Sequence, residues 1–373
     1  MMGTCSISDS TMRSKRALLP SLLTLVVFVL AACRTSTAAQ SLPDEAPCKI
    51  ALLLPETKTA RYETQDLPNF KNRLKELGFD NQYLIYSNAN QDAATQQQQA
   101  EAALTNRANV LVLDPVDSDA AAKIADLAKS KNVPVIAYDR LIKGSAGVTY
   151  YISFDNEQVG KLQGSALVIA LAGQVHPTIV MINGSPTDNN AILFKRGAHS
   201  VLDDKVIIAK EYDTPDWSPD KAQREMEQAL TTLNNQVDGV YAANDGTAGG
   251  AIAAMKAAGI QPLPPVTGQD AELAAIQRIL AGEQYMTVYK AIKPEANAAA
   301  ELAYALCRGE PPDESKLNGQ IDNGKTRVPS ILLAPISVTK HNLMQTVVAD
   351  QFWSVDQICT ADFKSFCDAA GIQ

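Results

Sequence analysis

The chain has 373 residues, 46% of them hydrophobic and 20% charged, enough apolar material for one large or two medium cores and too much for a disordered chain. Lys+Arg 33 against Asp+Glu 41 leaves a net charge of -8, the wrong sign for a partner of the nucleic-acid backbone. With 3 His, no HExxH and no paired CxxC, neither a zinc site nor metal catalysis is expected.

In chain order, residues 1–32 read as an address rather than as structure. Arg13, Lys15 and Arg16 precede an apolar run, Ala17 to Ala32, interrupted by Pro20, Ser21 and Thr24 and too short to span a bilayer comfortably. The run ends in Leu30-Ala-Ala-Cys33, which resembles the lipobox of bacterial lipoproteins. That resemblance implies an acylated Cys33 at the mature N-terminus and a domain held on a membrane surface by its acyl chains. An ordinary signal peptide with an incidental cysteine is the competing reading. Met12 opens a signal by itself, which makes Met1 the start of an extension. Residues 33–47, rich in Ser, Thr, Ala and Pro, read as a tether.

Outside the cytoplasm an even number of cysteines favours disulfides. Cys48, Cys307, Cys359 and Cys367 follow the lipobox and admit three connectivities. The closeness of Cys359 to Cys367 favours that pair and leaves Cys48 for Cys307. A nucleophilic cysteine is the weaker reading, because no His stands in a partner motif.

Beyond the tether, short β-rich runs alternate with amphipathic helical stretches. Cys48–Leu54, Gln82–Tyr86, Val110–Leu113 and Val133–Tyr138 read as strands, the last two as aliphatic runs of a parallel sheet covered on both faces. Helices are expected over Leu67–Leu77, Asp92–Arg107 and Ser118–Ser130. The pattern then repeats with strands Thr178–Ile182, Val206–Ala209, Gly239–Ala242, Pro265–Thr267 and Met286–Tyr289. Between these come helices Glu157–Leu171, Asn190–Leu202, Pro219–Leu233, Thr247–Ala258 and Ala271–Leu280. The alternation implies βαβ units and two doubly wound parallel sheets, an α/β fold. Helix Pro294–Leu306, strand Ile331–Leu333 and helix His341–Ala349 exceed what either half needs, so the chain is expected to cross back between the halves.

In each half a strand ends in Asn or Asp and the next ends in another Asp: Asp114 and Asp139, then Asn244 and Asp270. Ligands of open α/β sheets bind outside the carboxyl ends of strands, so these ends converge on one cleft if the sheets face each other. The strand-end set is Asp139, Arg140, Asn189, Asn190, Asn244, Asp270 and Lys290, with Asp188 nearby. Carboxylates accept, cationic groups donate and amides do both, which is what a ring of sugar hydroxyls requires. Trp217 and Tyr62 offer flat faces for the C–H side of a pyranose. For any one of these residues, a helix cap or a surface charge is the simpler explanation; their shared placement favours a site. Asp188 and Asp270 can also be read as a glycosidase pair, although cationic and amide neighbours favour ionised carboxylates over a raised-pKa acid. Asn244-Asp-Gly-Thr-Ala-Gly-Gly250 lacks the ending and spacing of a phosphate loop.

From Lys49 to Val348 the chain resembles the type I periplasmic sugar-binding proteins of bacterial ABC transporters, most of all the members that bind D-xylose. The resemblance is carried by Ile136-Ala-Tyr-Asp-Arg140, Tyr151-Ile-Ser-Phe-Asp-Asn-Glu157, Gly184-Ser-Pro-Thr-Asp-Asn-Asn-Ala191, Asn244-Asp-Gly-Thr-Ala-Gly-Gly250, Gly268-Gln-Asp270 and Met286-Thr-Val-Tyr-Lys290. It implies two lobes, 48–156 with 291–325 and 157–290 with 326–349, joined by crossings near Asn156, Ala291 and Lys325, and a C-terminal tail of residues 350–373. It implies sugar contacts at Arg61, Asp139, Arg140, Asp188, Asn190, Trp217, Asn244, Asp270 and Lys290. It also implies a monosaccharide ligand, a membrane permease as partner, an extracytoplasmic monomer, no cofactor and no catalysis. Tyr62 stands where such proteins carry Trp, and Asn244-Asp-Gly-Thr replaces Asn-Asp-Ala-Thr. A receptor that reports sugar to a chemotaxis or sensor-kinase partner is the alternative within the fold. A repressor of related fold needs an N-terminal helix-turn-helix, and here a signal peptide stands in its place.

Overall fold

The computed structural model describes residues 47–372. Residues 1–32, expected as a signal peptide, Cys33 and nearly all of the expected tether lie outside the described residues. The first strands and helices alternate as β1 (Ile50–Leu54), α1 (Leu67–Glu76), β2 (Leu84–Asn88), α2 (Ala93–Thr105), β3 (Val110–Leu113), α3 (Ala122–Ser130) and β4 (Val135–Tyr138). β5 (Val148–Phe154) follows directly, as a strand that the chain-order reading treated only as a motif. β1, β3 and β4 are buried throughout because helices cover both faces of the sheet.

The second half runs α4 (Asn156–Ala170), β6 (Thr178–Asn183), α5 (Asn189–Leu202), β7 (Ile207–Asp213), α6 (Pro219–Thr232), β8 (Gly239–Ala242), α7 (Asp245–Ala257), α8 (Leu273–Ala281) and β9 (Thr287–Tyr289). The chain closes with α9 (Ile292–Cys307), β10 (Gly319–Asp322), β11 (Arg327–Leu333), β12 (Ile336–Val338), α10 (Val355–Ile358) and α11 (Lys364–Ala369).

The first sheet has seven strands in the order β10-β11-β5-β4-β3-β1-β2, parallel except for the β10–β11 pair. Read from the other edge, β2-β1-β3-β4-β5 is a doubly wound order whose direction switches between β1 and β3. The second sheet repeats it: β7-β6-β8 are parallel, and single bridges at Val240–Val266 and Gln269–Val288 continue the order towards β9 and its antiparallel partner β12. Pro265–Thr267, expected as a strand, contributes only such a bridge.

The division of residues 326–349 to the second lobe needs correction. β11 pairs in parallel with β5, from Ser330–Tyr151 to Leu333–Phe154, and so belongs to the first sheet. The chain changes sheet between Phe154 and α4, between β9 and α9, and between Leu333 and Ile336 rather than near Lys325. The segment expected as helix His341–Ala349 holds only a π-helical turn, Met344–Val348. Cys48 is joined to Cys307, at the start of β1 and the end of α9, and Cys359 to Cys367 within the tail; their Cα atoms lie 5.8 and 5.9 Å apart. Among the described residues no helix is long and apolar enough to cross a membrane.

Candidate functional site

Helix caps bring the first polar groups to the cleft. Asp188 follows β6 and accepts the Asn190 N–H at 2.8 Å at the start of α5; Asn244 follows β8 and accepts the Thr247 N–H at 2.9 Å at the start of α7. A side chain that caps a helix directly after a parallel strand stands at the carboxyl end of the sheet, so one residue serves both local structure and the cleft. With its oxygen engaged in the cap, Asn244 has its amide N–H₂ left for the cavity.

All ten expected residues line one small cavity: Arg61, Tyr62, Asp139, Arg140, Asp188, Asn190, Trp217, Asn244, Asp270 and Lys290. Thr59, Phe194 and Gln269 also line it. Gln269 stood inside a quoted motif, whereas Thr59 and Phe194 lie in a loop and on a helix face with no polar pattern to mark them.

The N-lobe wall is ionic. Asp66 grips the Arg61 guanidinium at both Nε (3.0 Å) and Nη2 (2.7 Å), a bidentate fork, while Glu295 on α9 accepts from Nη2 at 2.9 Å. The remaining nitrogen, Nη1, points to Asp139 at 3.3 Å and to Asp270 at 3.9 Å. Lys290 Nζ meets the same two carboxylates, at 3.4 and 3.3 Å. Arg140 Nε lies 3.0 Å from Asp188 Oδ2 and 3.6 Å from Asp114, and its Nη2 lies 3.8 Å from Glu56. Glu56, Asp66, Asp114 and Glu295 were not singled out as site residues. Asp114 alone carried a signal, as a strand end.

Burial pushes the Asp139 carboxyl up, but Arg61, Lys290 and Arg140 together hold it below the usual carboxylate range. At Asp188 burial outweighs Arg140, and the carboxyl rises. That direction at Asp188 is opposite to the one its cationic neighbour alone would give. Asp114 and Glu295, fully buried, are pushed well up by the same cause.

The C-lobe wall is built from backbone turns and an aromatic plate. Trp217 is buried with φ +51°, its indole N–H donates to Asp188 Oδ2 at 3.1 Å, and its ring lies over Gly184, where any Cβ would fall 2.0 Å from the ring. Gly184 is therefore required by close approach. Tyr62 takes a different place from the flat face expected of it. The guanidiniums of Arg61 and Arg140 lie over its ring, 5.1 and 5.6 Å from the centroid, and its hydroxyl donates to Asp139 and accepts from Arg140.

The lobes also touch directly beside the cavity. Ser118 N–H donates to the Thr187 carbonyl at 3.0 Å, Asn189 N–H donates to Ser118 Oγ at 3.1 Å, and Asn190 Nδ2 donates to the Asp139 carbonyl at 2.9 Å.

Residues 50–311 match the periplasmic binding protein domain. The chain belongs to the periplasmic binding protein family. This binding protein is 38% identical over 315 residues to the D-xylose-binding periplasmic protein of Haemophilus influenzae, covering 83% of this chain and 92% of that one. It is 39% identical over 309 residues to the D-xylose-binding periplasmic protein of Escherichia coli, covering 82% and 90%. Among solved structures, a carbohydrate transporter solute-binding protein from Chloroflexus aurantiacus in complex with D-glucose superposes with TM-score 0.76 at 28% identity, covering 84% of this chain and 98% of that one. The fold is that of the type I periplasmic binding proteins.

Proposed function

We propose that this protein is an extracytoplasmic receptor that captures D-xylose, or a closely related monosaccharide, and delivers it to the permease of an ABC transporter. One observation carries the reading: a small buried cavity lined by carboxylates, amides, cations and one indole drawn from both lobes. Sugar hydroxyls both donate and accept, and the C–H face of a pyranose suits the ring of Trp217. Arg61, Asp139 and Arg140 bind from the N-lobe, Asp188, Asn190, Asn244 and Asp270 from the C-lobe, and Lys290 from the crossing. Tyr62 acts by fixing Asp139 and Arg140.

The sugar favours the closed form because only that form makes both sets of bonds at once. The direct lobe-to-lobe contacts of Ser118, Asn189 and Asn190 belong to the same closed form. Names carried by relatives support the ligand class, and the glucose-bound neighbour keeps hexoses in view. The reading is of a binding protein rather than an enzyme, acting as a monomer and tethered through an acylated Cys33 once residues 1–32 are removed.

Isothermal titration of the protein with its disulfides intact tests it, using D-xylose first and then D-glucose, D-ribose, L-arabinose and D-galactose. One-to-one binding of D-xylose in preference to the others is expected. Preference for another sugar moves the assignment within the class, and no binding of any of them overturns it. Loss of the lipid from a Cys33→Ala variant, read by intact mass, tests the anchor.

A further inference from the structure

The cleft carboxylate of Asp270 is placed by its backbone. Its Oδ1 is buried and receives no hydrogen bond from any described residue, and its Oδ2 has only the Gln269 amide at 3.5 Å. Its ion pairs with Lys290 and Arg61 therefore depend on where the main chain holds it. That main chain is strained: Asp270 has φ +92° and Ala271 φ +50°, two consecutive non-glycine residues in left-handed backbone. Such a turn persists only when its surroundings over-determine it.

Three bonds hold Asp270 and Ala271 themselves. Asp270 N–H donates to the Val288 carbonyl at 2.9 Å, and Ala271 N–H donates to Thr287 Oγ1 at 3.1 Å, both on β9. The third comes from the C-terminal tail: the Trp353 indole N–H donates to the Ala271 carbonyl at 2.7 Å. Its neighbour Phe352 packs edge-on against Tyr289, one residue before Lys290, with ring centroids 5.1 Å apart. The Phe352 carbonyl accepts from Gln65 Nε2 at 3.3 Å, in the turn that carries Arg61, Tyr62 and Asp66. Two adjacent tail residues thus stand behind three segments that line the cavity. Beyond them Ile358, Cys367 and Ile372 are buried in a core shared with Ala271 and Ile276, which fixes the tail to the C-lobe.

We propose that the C-terminal tail is part of the ligand-binding machinery, with Trp353 a positioning residue that sets the Asp270 carboxylate against Lys290 and Arg61. The proposal rests on the reading of the cavity as a monosaccharide site. The tail lies outside residues 50–311, the segment matched to the family.

The test is Trp353→Phe, which keeps an aromatic ring in the core and removes the indole N–H together with the pyrrole part of the ring. Sugar affinity, measured by titration with the tightest of the five sugars, is expected to fall about five- to tenfold in the parent, the effect of one hydrogen bond. In an Asp270→Asn background the same change is expected to cost less than twofold, since the carboxylate charge that Trp353 sets against Lys290 and Arg61 is gone. Amide hydrogen exchange over residues 268–273 is expected to quicken about tenfold without any sugar present. Equal affinity losses in both backgrounds, or unchanged exchange in that turn, overturn the proposal. If the parent binds none of the sugars, the receptor reading fails on that result, and the exchange measurement still decides whether Trp353 holds the turn.

Discussion

The two walls of the cleft hang from sheets of the same strand order and are held by different means. On the N-lobe side, Glu56, Asp66, Asp114, Asp139 and Glu295 surround Arg61 and Arg140, so the groups facing the cavity are fixed by ion pairs among buried charges. On the C-lobe side, Asp188 and Asn244 are helix caps, and Trp217 and Asp270 sit on left-handed backbone, as Asp139 also does on the other wall, so side-chain placement here follows mainly from turns. A wall held by charges fails when one charge is removed. A wall held by turns yields gradually, because each turn has several supports. Substitutions on the two sides should therefore differ in kind.

The largest effect is expected at Arg61. Arg61→Met keeps volume and leaves Asp66, Glu295 and Asp139 around an uncharged side chain, all of them buried. Breaking a buried ion cluster from one side costs about 3–5 kcal/mol, so urea denaturation should show a loss of that order together with loss of sugar binding. A change below about 1 kcal/mol would mean that the carboxylates simply take up protons, and the ionic description of this wall would fail.

On the other wall, Trp217→Ala should cost about 1.5–3 kcal/mol in sugar affinity, the worth of a stacked aromatic plate. Unchanged affinity in a folded variant removes Trp217 from the site. The same wall has a pH signature at Asp245, which accepts from Gln284 (2.7 Å), Thr287 (2.8 Å) and the Glu272 N–H (2.9 Å) and so ties the start of α7 to the Asp270 turn and β9. Burial pushes its carboxyl up to about 7 against the pull of Arg278, and burial likewise pushes the neighbouring Glu272 up to about 8. A raised folded-state pKa means the native state holds a proton that the unfolded chain has released. The associated stability is complete below the ordinary carboxylate range and is lost as pH rises through about 7. Stability should fall between pH 5 and pH 8 with a slope of up to ~1.4 kcal/mol per pH unit for each such group, and Asp245→Asn should flatten it. An identical slope in the variant rules Asp245 out as its source.

What could be read in the sequence divides along the same line. Residues at strand ends and in capping positions were legible, because periodicity and caps are local: Asp139, Asn190, Asn244 and Asp270 each sit beside the strand or helix that presents them. The supports were not. Arg61 meets Glu295 across 234 residues, and no local pattern marks that pairing. β11 was assigned to the second lobe for a similar reason, since its place is decided by a parallel pairing with β5 rather than by its own residues. Trp353 lies in a tail whose composition suggests no role, and only the bond to Ala271 shows what it touches.

Tyr62 gives the smallest effect and the finest distinction, because it belongs to the ionic wall but contributes by hydrogen bonding. Its hydroxyl donates to Asp139 Oδ2 at 3.2 Å and accepts from Arg140 Nη2 at 3.1 Å, linking two groups that face the cavity from this side. Burial holds the phenol well above its ordinary pKa, so it stays a neutral donor wherever the protein is folded. Tyr62→Phe keeps the ring beneath the two guanidiniums and deletes only the bridge, at about 1 kcal/mol of stability. It also frees one acceptor site on Asp139 and one N–H on Arg140, which are then satisfied by ligand or water. If the wall is set by charge alone, the order of preference among the five sugars should survive this substitution. If the hydroxyl sets which lone pair of Asp139 the sugar reaches, the order should change while the Arg61 network and overall stability stay nearly intact, and titration of the variant against D-xylose and D-glucose separates the two cases.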